Sequence, residues 1–549
     1  MTDWQIADTS YQHWLCDIEA PWLGNLELPD VGVTSKKNWP LISIVMPTYN
    51  TPAHFLQQAL ESILGQSYPK WQLCIADDAS TDSEVGKMIR RYIKRDSRIL
   101  AKFEKFNGGI AATSNSAITL ASGQYIAFMD HDDTLPKHAL MLVARELQCH
   151  PDTQLLYSDS DSLNTAGQRC NPFFKPDWNY DLLLGQNYLN HLSVYSSKLI
   201  KDIGGLRENF EGSQDYDLAL RAIEKIPPGT IRHLPHILYH WRVVPSAVSQ
   251  TELGQAVKAA RRAIEEHLKR SHQAASVGAA KNAIIYNRVK WPLPQPPPGI
   301  LILIHGDDDI LTEESVEAIN RLTNYENYRI KTLGCDGRST SSPLGALLNA
   351  EMENISEDLV CIIPAGVCPE TAAWLQGIAG QLDRSRVGAI GMKLMSFSGQ
   401  LLTGPLLPAI EHSQNGSQPG QGFEGATEAD KGYFGRLMLD HQVSAVHGAC
   451  LATHSSHFSR VGGFDPNLSN LAILGADYCF RLQEKELATI WLASTLMRCP
   501  DSIVNSTFRK APLDRELAYF RGLWSHRMQY DPFYNPNFST SGASYRLPE

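Results

Sequence analysis

The chain has 549 residues, 43% of them hydrophobic and 20% charged, which is room for two or more domains with sizeable cores and is ordinary for a globular protein rather than a fibre or a disordered chain. A formal net charge of -10, with no run of lysines and arginines, argues against nucleic acid as a main partner. Ten cysteines without Cys-x-x-Cys spacing, several in apolar runs around Cys74 and Cys361, read as small buried hydrophobes in a reducing compartment and exclude a zinc or disulfide framework.

Residues 1–35 read as an N-terminal extension. Met1-Thr-Asp-Trp-Gln-Ile-Ala-Asp8 lacks the basic and then apolar stretch of an export signal, and no apolar segment approaches the roughly 18 residues that span a bilayer. The expected location is the cytoplasm. Leu41–Met46 then forms a short apolar strand closed by Pro47, and Thr51-Pro52 offers an N-cap followed by proline at the first helical position. Phe55, Leu56, Ala59, Leu60, Ile63 and Leu64 keep helical spacing afterwards. A second strand, Gln72–Ala76, runs into Asp77-Asp78-Ala79-Ser80, and Val85, Met88, Ile89, Tyr92 and Ile93 mark another amphipathic helix. A third helix-like segment ends at Gly123. The strand Tyr125–Met129 follows and leads straight into Asp130-His131-Asp132-Asp133.

Carboxylates crowded at the end of an apolar strand are costly unless a cation or hydrogen-bond donors neutralise them. A hard divalent ion takes oxygen ligands of this kind and leaves positions open for phosphates, so the cluster suits Mg²⁺ or Mn²⁺ carrying a diphosphate. Strands alternating with helices predict an α/β fold with a mixed, mostly parallel sheet covered on both faces. Ligands of such sheets bind beyond the carboxyl ends of the strands, so Pro47–Asn50, Asp77-Asp78 and Asp130–Asp133 are expected to converge on one crevice.

Further on, Gly254–Ser271 places Ala256, Val257, Ala260, Ile264 and Leu268 on one side of a helix, with Arg261, Arg262 and Lys269 around it. It is expected to pack between the domains, and its basic residues are compatible with peripheral contact to an anionic membrane. The prolines of Trp291–Pro298 read as a semi-rigid linker between a first domain, 36–290, and a second, 299–549. The second half repeats the plan from Gly299. Asp358–Ile363 takes the place of Gln124–Met129, but Pro364-Ala365-Gly366 stands where the aspartates stood. Val461-Gly-Gly-Phe-Asp465 echoes Ile203-Gly-Gly-Leu-Arg207, and Asp477–Arg481 echoes Asp217–Arg221, while Leu474-Gly475 stands where Gln214-Asp215 would align. Pro405–Gly432 reads as loop-rich. Within it Gly420-Gln-Gly422-Phe-Glu-Gly425 spells a dinucleotide motif, yet the polar run Ser413–Pro419 precedes it where a strand is required, so it is read as a flexible loop.

The segments Met46–Asn50, Asp77–Ser80, Asn107–Gly109, Asn115, Gly123–Asp133, Gly212–Asp217 and Tyr239–Arg242 resemble, in this order, those of the family 2 glycosyltransferases, whose fold is the GT-A type with an Asp-x-Asp motif. The resemblance covers roughly residues 36 to 250, with the second half as a degenerate copy. Phe173–Asn179 and Asp531–Asn537 look like segments of tandem enzymes that build bacterial O-antigens, capsules and rhamnose-containing glycans. The resemblance implies inverting transfer of a hexose or rhamnose from a UDP or dTDP sugar to a glycan or lipid-linked glycan, with self-association left open. It implies a cation at Asp132, with Asp130 helping at the ribose or through water, and Asp215 as the base that takes the acceptor proton. Asp217, further along the helix, is expected to cap or pair within it. Pro47, Tyr49, Asn107 and one of Asp77 and Asp78 would hold the nucleotide, and Gln214, His240 and Trp241 the acceptor or diphosphate. The rival from another class is a noncatalytic glycan-binding or assembly scaffold on the same fold. A nucleotidyltransferase is disfavoured because Met46–Asn50 is neither glycine-rich nor basic.

Overall fold

The computed structural model describes residues 6–26, 39–243, 250–334, 342–353, 355–411, 419–509 and 511–548. The start expected for the first domain and most of the run 413–419 lie outside these residues. The described chain divides into two compact units, one of Ile6–Trp178 with Asn187–Gln273, the other of Asn179–Gln186 with Ala274–Glu549. Ala274–Lys290, assigned from the sequence to the first domain, therefore folds with the second unit, where Ser276–Ala280 and Ala283–Lys290 pair as an antiparallel hairpin ahead of the prolines.

In the first unit, α1 (Asp8–Trp14) and α2 (Ala20–Gly24) precede β1 (Ile42–Thr48), α3 (Ala53–Leu64), β2 (Trp71–Asp77), α4 (Ser83–Arg95), β3 (Ile99–Phe103), α5 (Gly109–Ile118) and β4 (Tyr125–Phe128). Next come α6 (Ala139–Cys149), β5 (Leu155–Leu163), β6 (Arg169–Phe173), α7 (Tyr180–Gly185, folded with the second unit), β7 (Ser193–Ser196), α8 (Ser197–Ile203), α9 (Gln214–Ile223), β8 (Ile231–Arg242) and α10 (Gln250–Arg270). The strands run in the order β3-β2-β1-β4-β7-β5-β6, with β8 beside β5. β3, β2, β1 and β4 are parallel; β7 turns the direction. β1 is mostly apolar because it is covered on both faces, and every one of its residues is buried, with the Ser43 and Thr48 hydroxyls donating to the Gln72 side chain and the Ala76 carbonyl. Ile42, Ile44, Met46, Leu73 and Ile75 are 0% exposed, each contributing about 1.5–3 kcal/mol relative to a solvated side chain.

The helices follow their apolar spacing. α3 buries Leu56, Ala59, Leu60 and Ile63. Its N-cap is Pro52, not Thr51: the Thr51 hydroxyl is buried without a hydrogen-bond partner, and no side chain caps the helix. α4 is capped by Asp82, whose carboxylate accepts the Glu84 N–H at 2.9 Å. α10 is the helix expected over Gly254–Ser271, running Gln250–Arg270. It lies in the first unit against α9, with the Ser213 hydroxyl donating to the Ala256 carbonyl at 2.9 Å and His267 meeting Glu224 at 2.8 Å.

The second unit has the same topology. Tyr328–Leu333, Ile300–His305, Leu359–Pro364, Leu451–His454, Val387–Ser396 and Ala488–Cys499 lie side by side in that order, as β2, β1, β4, β7, β5 and β8 do, with matching parallel and antiparallel pairings. A local clamp is copied as well. In the first unit the Asn115 side chain holds both the N–H and the carbonyl of Leu206, and Arg221, paired with Asp217 at 2.9 Å, donates to the Ile203 and Gly205 carbonyls. In the second, Asn349 holds both groups of Phe464, and Arg481, paired with Asp477 at 2.6 Å, donates to the Val461 and Gly463 carbonyls. Between them, the stretch read as loop-rich contains antiparallel strands Pro405–Glu411 and Pro419–Gln421, and no helix opens at Gly420–Gly425.

Candidate active site

At the carboxyl ends of β1 and β4 a cavity of about 230 Å³ opens, lined among others by Pro47, Asp130, Asn190, His191, Gln214, Asp215 and Tyr239. The register places Val45 beside Phe128, so that Pro47 and Asp130 emerge together from neighbouring strands. Four of the residues singled out from the sequence, Pro47, Asp130, Gln214 and Asp215, thus share one wall-to-wall space.

Charge crowding dominates its electrostatics. Burial, then the Asp132 and Asp215 carboxylates, push the Asp130 carboxyl up to about 7. The main-chain N–H of Asp130 is fixed by the Tyr239 hydroxyl at 3.1 Å. Asp133, 1% exposed, is spent on structure: it accepts the Tyr239 hydroxyl at 2.5 Å and the Arg242 N–H at 2.7 Å, tying the post-β4 turn to β8. Asp132 is partly exposed; its carbonyl accepts Arg242 Nε at 2.7 Å.

Asp215 stands in the first turn of α9. Its carboxylate accepts Asn187 Nδ2 at 2.8 Å and a hydrogen bond from the Asn190 side chain. Burial nevertheless raises its pKa, the backbone and asparagine hydrogen bonds opposing. Gln214 Oε1 and Asn187 Oδ1 are buried with no hydrogen-bond partner, two acceptors left over at the same place. Sequence reasoning missed Asn187, Asn190 and His191, which lie in a loop without periodicity, and Tyr239, which was quoted only within a motif.

The remaining candidates are placed elsewhere. Asp78 is buried and accepts the N–H groups of Gly108 and Gly109 at 2.7 and 2.9 Å, ordering the turn into α5, with Asn107 Nδ2 at 3.4 Å from its carbonyl. Asp77, also buried, accepts the Ser80 hydroxyl at 2.5 Å. Tyr49 and Trp241 are 45% and 48% exposed. His240 is ion-paired through Nδ1 to Asp161, which Tyr11 and Arg169 also hold. None of these lines the cavity.

A divalent cation fits these residues on the evidence of the crowding itself. Asp130 and Asp132 offer oxygen donors, and a carboxyl whose pKa is raised by burial and then by neighbouring carboxylates is one whose ionised form positive charge would favour. Among the described residues, Asp130, Asp133 and His191 also present ligand atoms within 4.8 Å of one another; Asp132 is not in that group.

In the second unit Gly475 takes the place of Asp215, and backbone crowds the position: a Cβ there would lie 2.3 Å from the Val446 carbonyl and 2.5 Å from the Gly448 N–H.

Residues 43–204 match the model of the family described as Glycosyl transferase family 2. That match falls within the first unit, apart from Asn179–Gln186. The whole chain is similar to the protein y4gI of Sinorhizobium fredii, at 34% identity over 93% of this chain and 59% of the relative. It is also similar to the O-antigen biosynthesis protein RfbC of Myxococcus xanthus, at 29% identity over 92% of this chain and 41% of that protein. The chain thus spans about half the length of these curated relatives. Among solved structures, Staphylococcus aureus TarS 1–349 in complex with UDP-GlcNAc matches at 19% identity and a TM-score of 0.35, over 41% of this chain and 66% of that one. No helix among the described residues is long and apolar enough to cross a membrane.

Proposed function

We propose that the chain is an inverting, metal-dependent glycosyltransferase that moves a sugar from a UDP or dTDP sugar to a glycan acceptor in cell-surface polysaccharide biosynthesis. One observation carries the reading: Asp130 and Asp215 face one cavity, with Asp215 oriented by two asparagines and its pKa raised. A base must be hydrogen-bonded in place and must hold a proton well enough to take it from a hydroxyl, and the hydrogen bond from Asn187 and the raised pKa support that role for Asp215. The similarity to an O-antigen biosynthesis protein over 92% of this chain supports the polysaccharide setting.

Asp130 and Asp132 would hold Mg²⁺ or Mn²⁺, which when bound supplies positive charge against the leaving diphosphate. Pro47, at the end of β1, and Asp130 line the donor side. Gln214, with its unsatisfied amide oxygen, orients a hydroxyl of the sugar or acceptor. Asp215 accepts the proton of the attacking hydroxyl as the new bond forms on the face opposite the departing diphosphate, which inverts the anomeric centre. Tyr49 and Trp241, exposed aromatic faces, suit stacking on a base and a sugar ring.

The test is a panel of UDP, dTDP and GDP sugars offered with Mn²⁺, with Mg²⁺ and with EDTA, reading nucleoside diphosphate release. Release from at least one donor, abolished by EDTA and lowered about 10²- to 10⁴-fold by Asp215→Asn with unfolding temperature kept, is the expected result. Binding of UDP without metal and no turnover with any donor would favour a noncatalytic scaffold.

A further inference from the structure

We infer that Lys175 is a positioning residue for this transfer reaction: its ammonium fastens the Asn190 and His191 carbonyls and thereby fixes the loop that orients Asp215 and turns His191 toward Asp130. The inference rests on the reading of Asp215 as the base.

Lys175 is 0% exposed, a rare state for a lysine. Its Nζ donates to the carbonyl of Asn190 and, at 2.8 Å, to that of His191. Its own N–H donates to Asp159 Oδ1 at 2.8 Å, and the Tyr157 hydroxyl donates to the Pro176 carbonyl at 2.7 Å, so the lysine projects from an anchored segment. The loop it holds needs holding. His191 has φ of 52°, a left-handed conformation unfavourable for a side chain with a Cβ, and its ring lies 4.7 Å from that of Tyr239, the residue that fixes the Asp130 N–H. The preceding residue, Asn190, bonds Asp215.

An apolar side chain would fill the same volume at lower desolvation cost. It would leave two buried carbonyls without a donor, and only a donor at the end of a long stem reaches both. Burial depresses the Lys175 pKa to about 7, so the fold keeps this residue against an electrostatic cost that packing alone does not require.

The experiment compares full-length wild type, Lys175→Met and Lys175→Arg, using whichever panel sugar the wild type turns over. It reads kcat and donor KM together with amide hydrogen exchange over residues 187–193. Lys175→Met should lower kcat about tenfold to hundredfold, leave KM within about twofold, and speed exchange in that segment. Lys175→Arg, which keeps the donors, should recover most of both. Unchanged exchange in Lys175→Met overturns the inference, as does faster exchange with kcat intact, or a loss confined to KM. If Lys175→Met does not fold, Lys175→Arg decides alone: exchange and kcat must move together or both stay, and a fall in kcat with wild-type exchange overturns it. A wild type that turns over no donor counts against the proposed function, while the exchange measurement still judges the clamp.

Discussion

Asp130 shows how one residue ties stability to ligand. Its folded pKa, raised to about 7 by burial and then by Asp132 and Asp215, lies above the ordinary aspartate value near 3.9, so between those limits the folded state binds more protons than the unfolded one. The stabilisation is complete below the unfolded value and is lost as pH rises through the folded one. Without divalent cations the unfolding temperature should therefore fall from about pH 5 to about pH 8, and Mn²⁺ should restore it at the alkaline end, where the ionised carboxylate is the form that binds. Asp130→Asn should flatten part of that slope, the raised pKa values of Asp133 and Asp215 supplying the rest. Calorimetry of the two proteins across that range checks this, and identical slopes would refute it. Asn187→Ala bears on the neighbouring residue with a definite sign. Its hydrogen bond lowers the Asp215 pKa, so removing it should move the acid limb of the transfer rate to higher pH, read from a pH–rate profile on the active donor.

At the scale of elements, the glycine turns before α9 and before Leu471–Gln483 give a paired test. Gly205 has φ of 71° and a Cβ there would sit 2.3 Å from Asn115 Oδ1; Gly204, φ 78°, has nothing within 4 Å. Gly204→Ala should cost about 1 kcal/mol from conformation alone, and Gly205→Ala about 2–3 kcal/mol because it also displaces the asparagine that holds both polar groups of Leu206. Gly462 and Gly463 should repeat the contrast in the second unit, since Gly463 meets Asn349 Oδ1 at 2.6 Å and Gly462 meets nothing. Denaturant midpoints decide it; equal losses within each pair would remove the crowding argument.

These elements were legible because burial imposes a pattern: β1 had to be mostly apolar, and α3 had to repeat Leu56, Ala59, Leu60 and Ile63. Asp130 was legible through carboxylates crowded at a strand end, Asp215 only through the family resemblance. The helpers were not. Asn187, Asn190 and Lys175 are polar residues in irregular chain, where sequence predicts solvent and only the fold shows which carboxylate or carbonyl they meet. Asp133 could not be told from Asp132 for the same reason, its partner Tyr239 lying far along the chain. The partner of His240 was hidden in the same way, since the register of β5 and β8 is what sets it opposite Asp161.

For the whole molecule, the question is what a second unit with glycine in place of Asp215 contributes. α7 belongs by sequence to the first half and by packing to the second unit, where Asn179 exchanges hydrogen bonds with Gln442 and Asp181 pairs with Arg384 at 2.6 Å. Gln186 alone separates the end of that helix from Asn187, whose amide orients Asp215. The chain therefore enters the loop that hydrogen-bonds Asp215 from an element that folds with the second unit. Arg384 also lies 4.3 Å over the Trp291 ring, so Arg384→Ala removes both a stacking partner and the countercharge of a buried carboxylate. It should destabilise the second unit by about 3 kcal/mol, read from thermal or denaturant unfolding. If α7 anchors the loop, turnover should fall as well, at a temperature where the variant remains folded, and Asp181→Asn, which leaves no buried charge, should lower it less. Loss of stability with wild-type kcat in Arg384→Ala would mean that the loop keeps its geometry without α7, and that the second unit serves some other step.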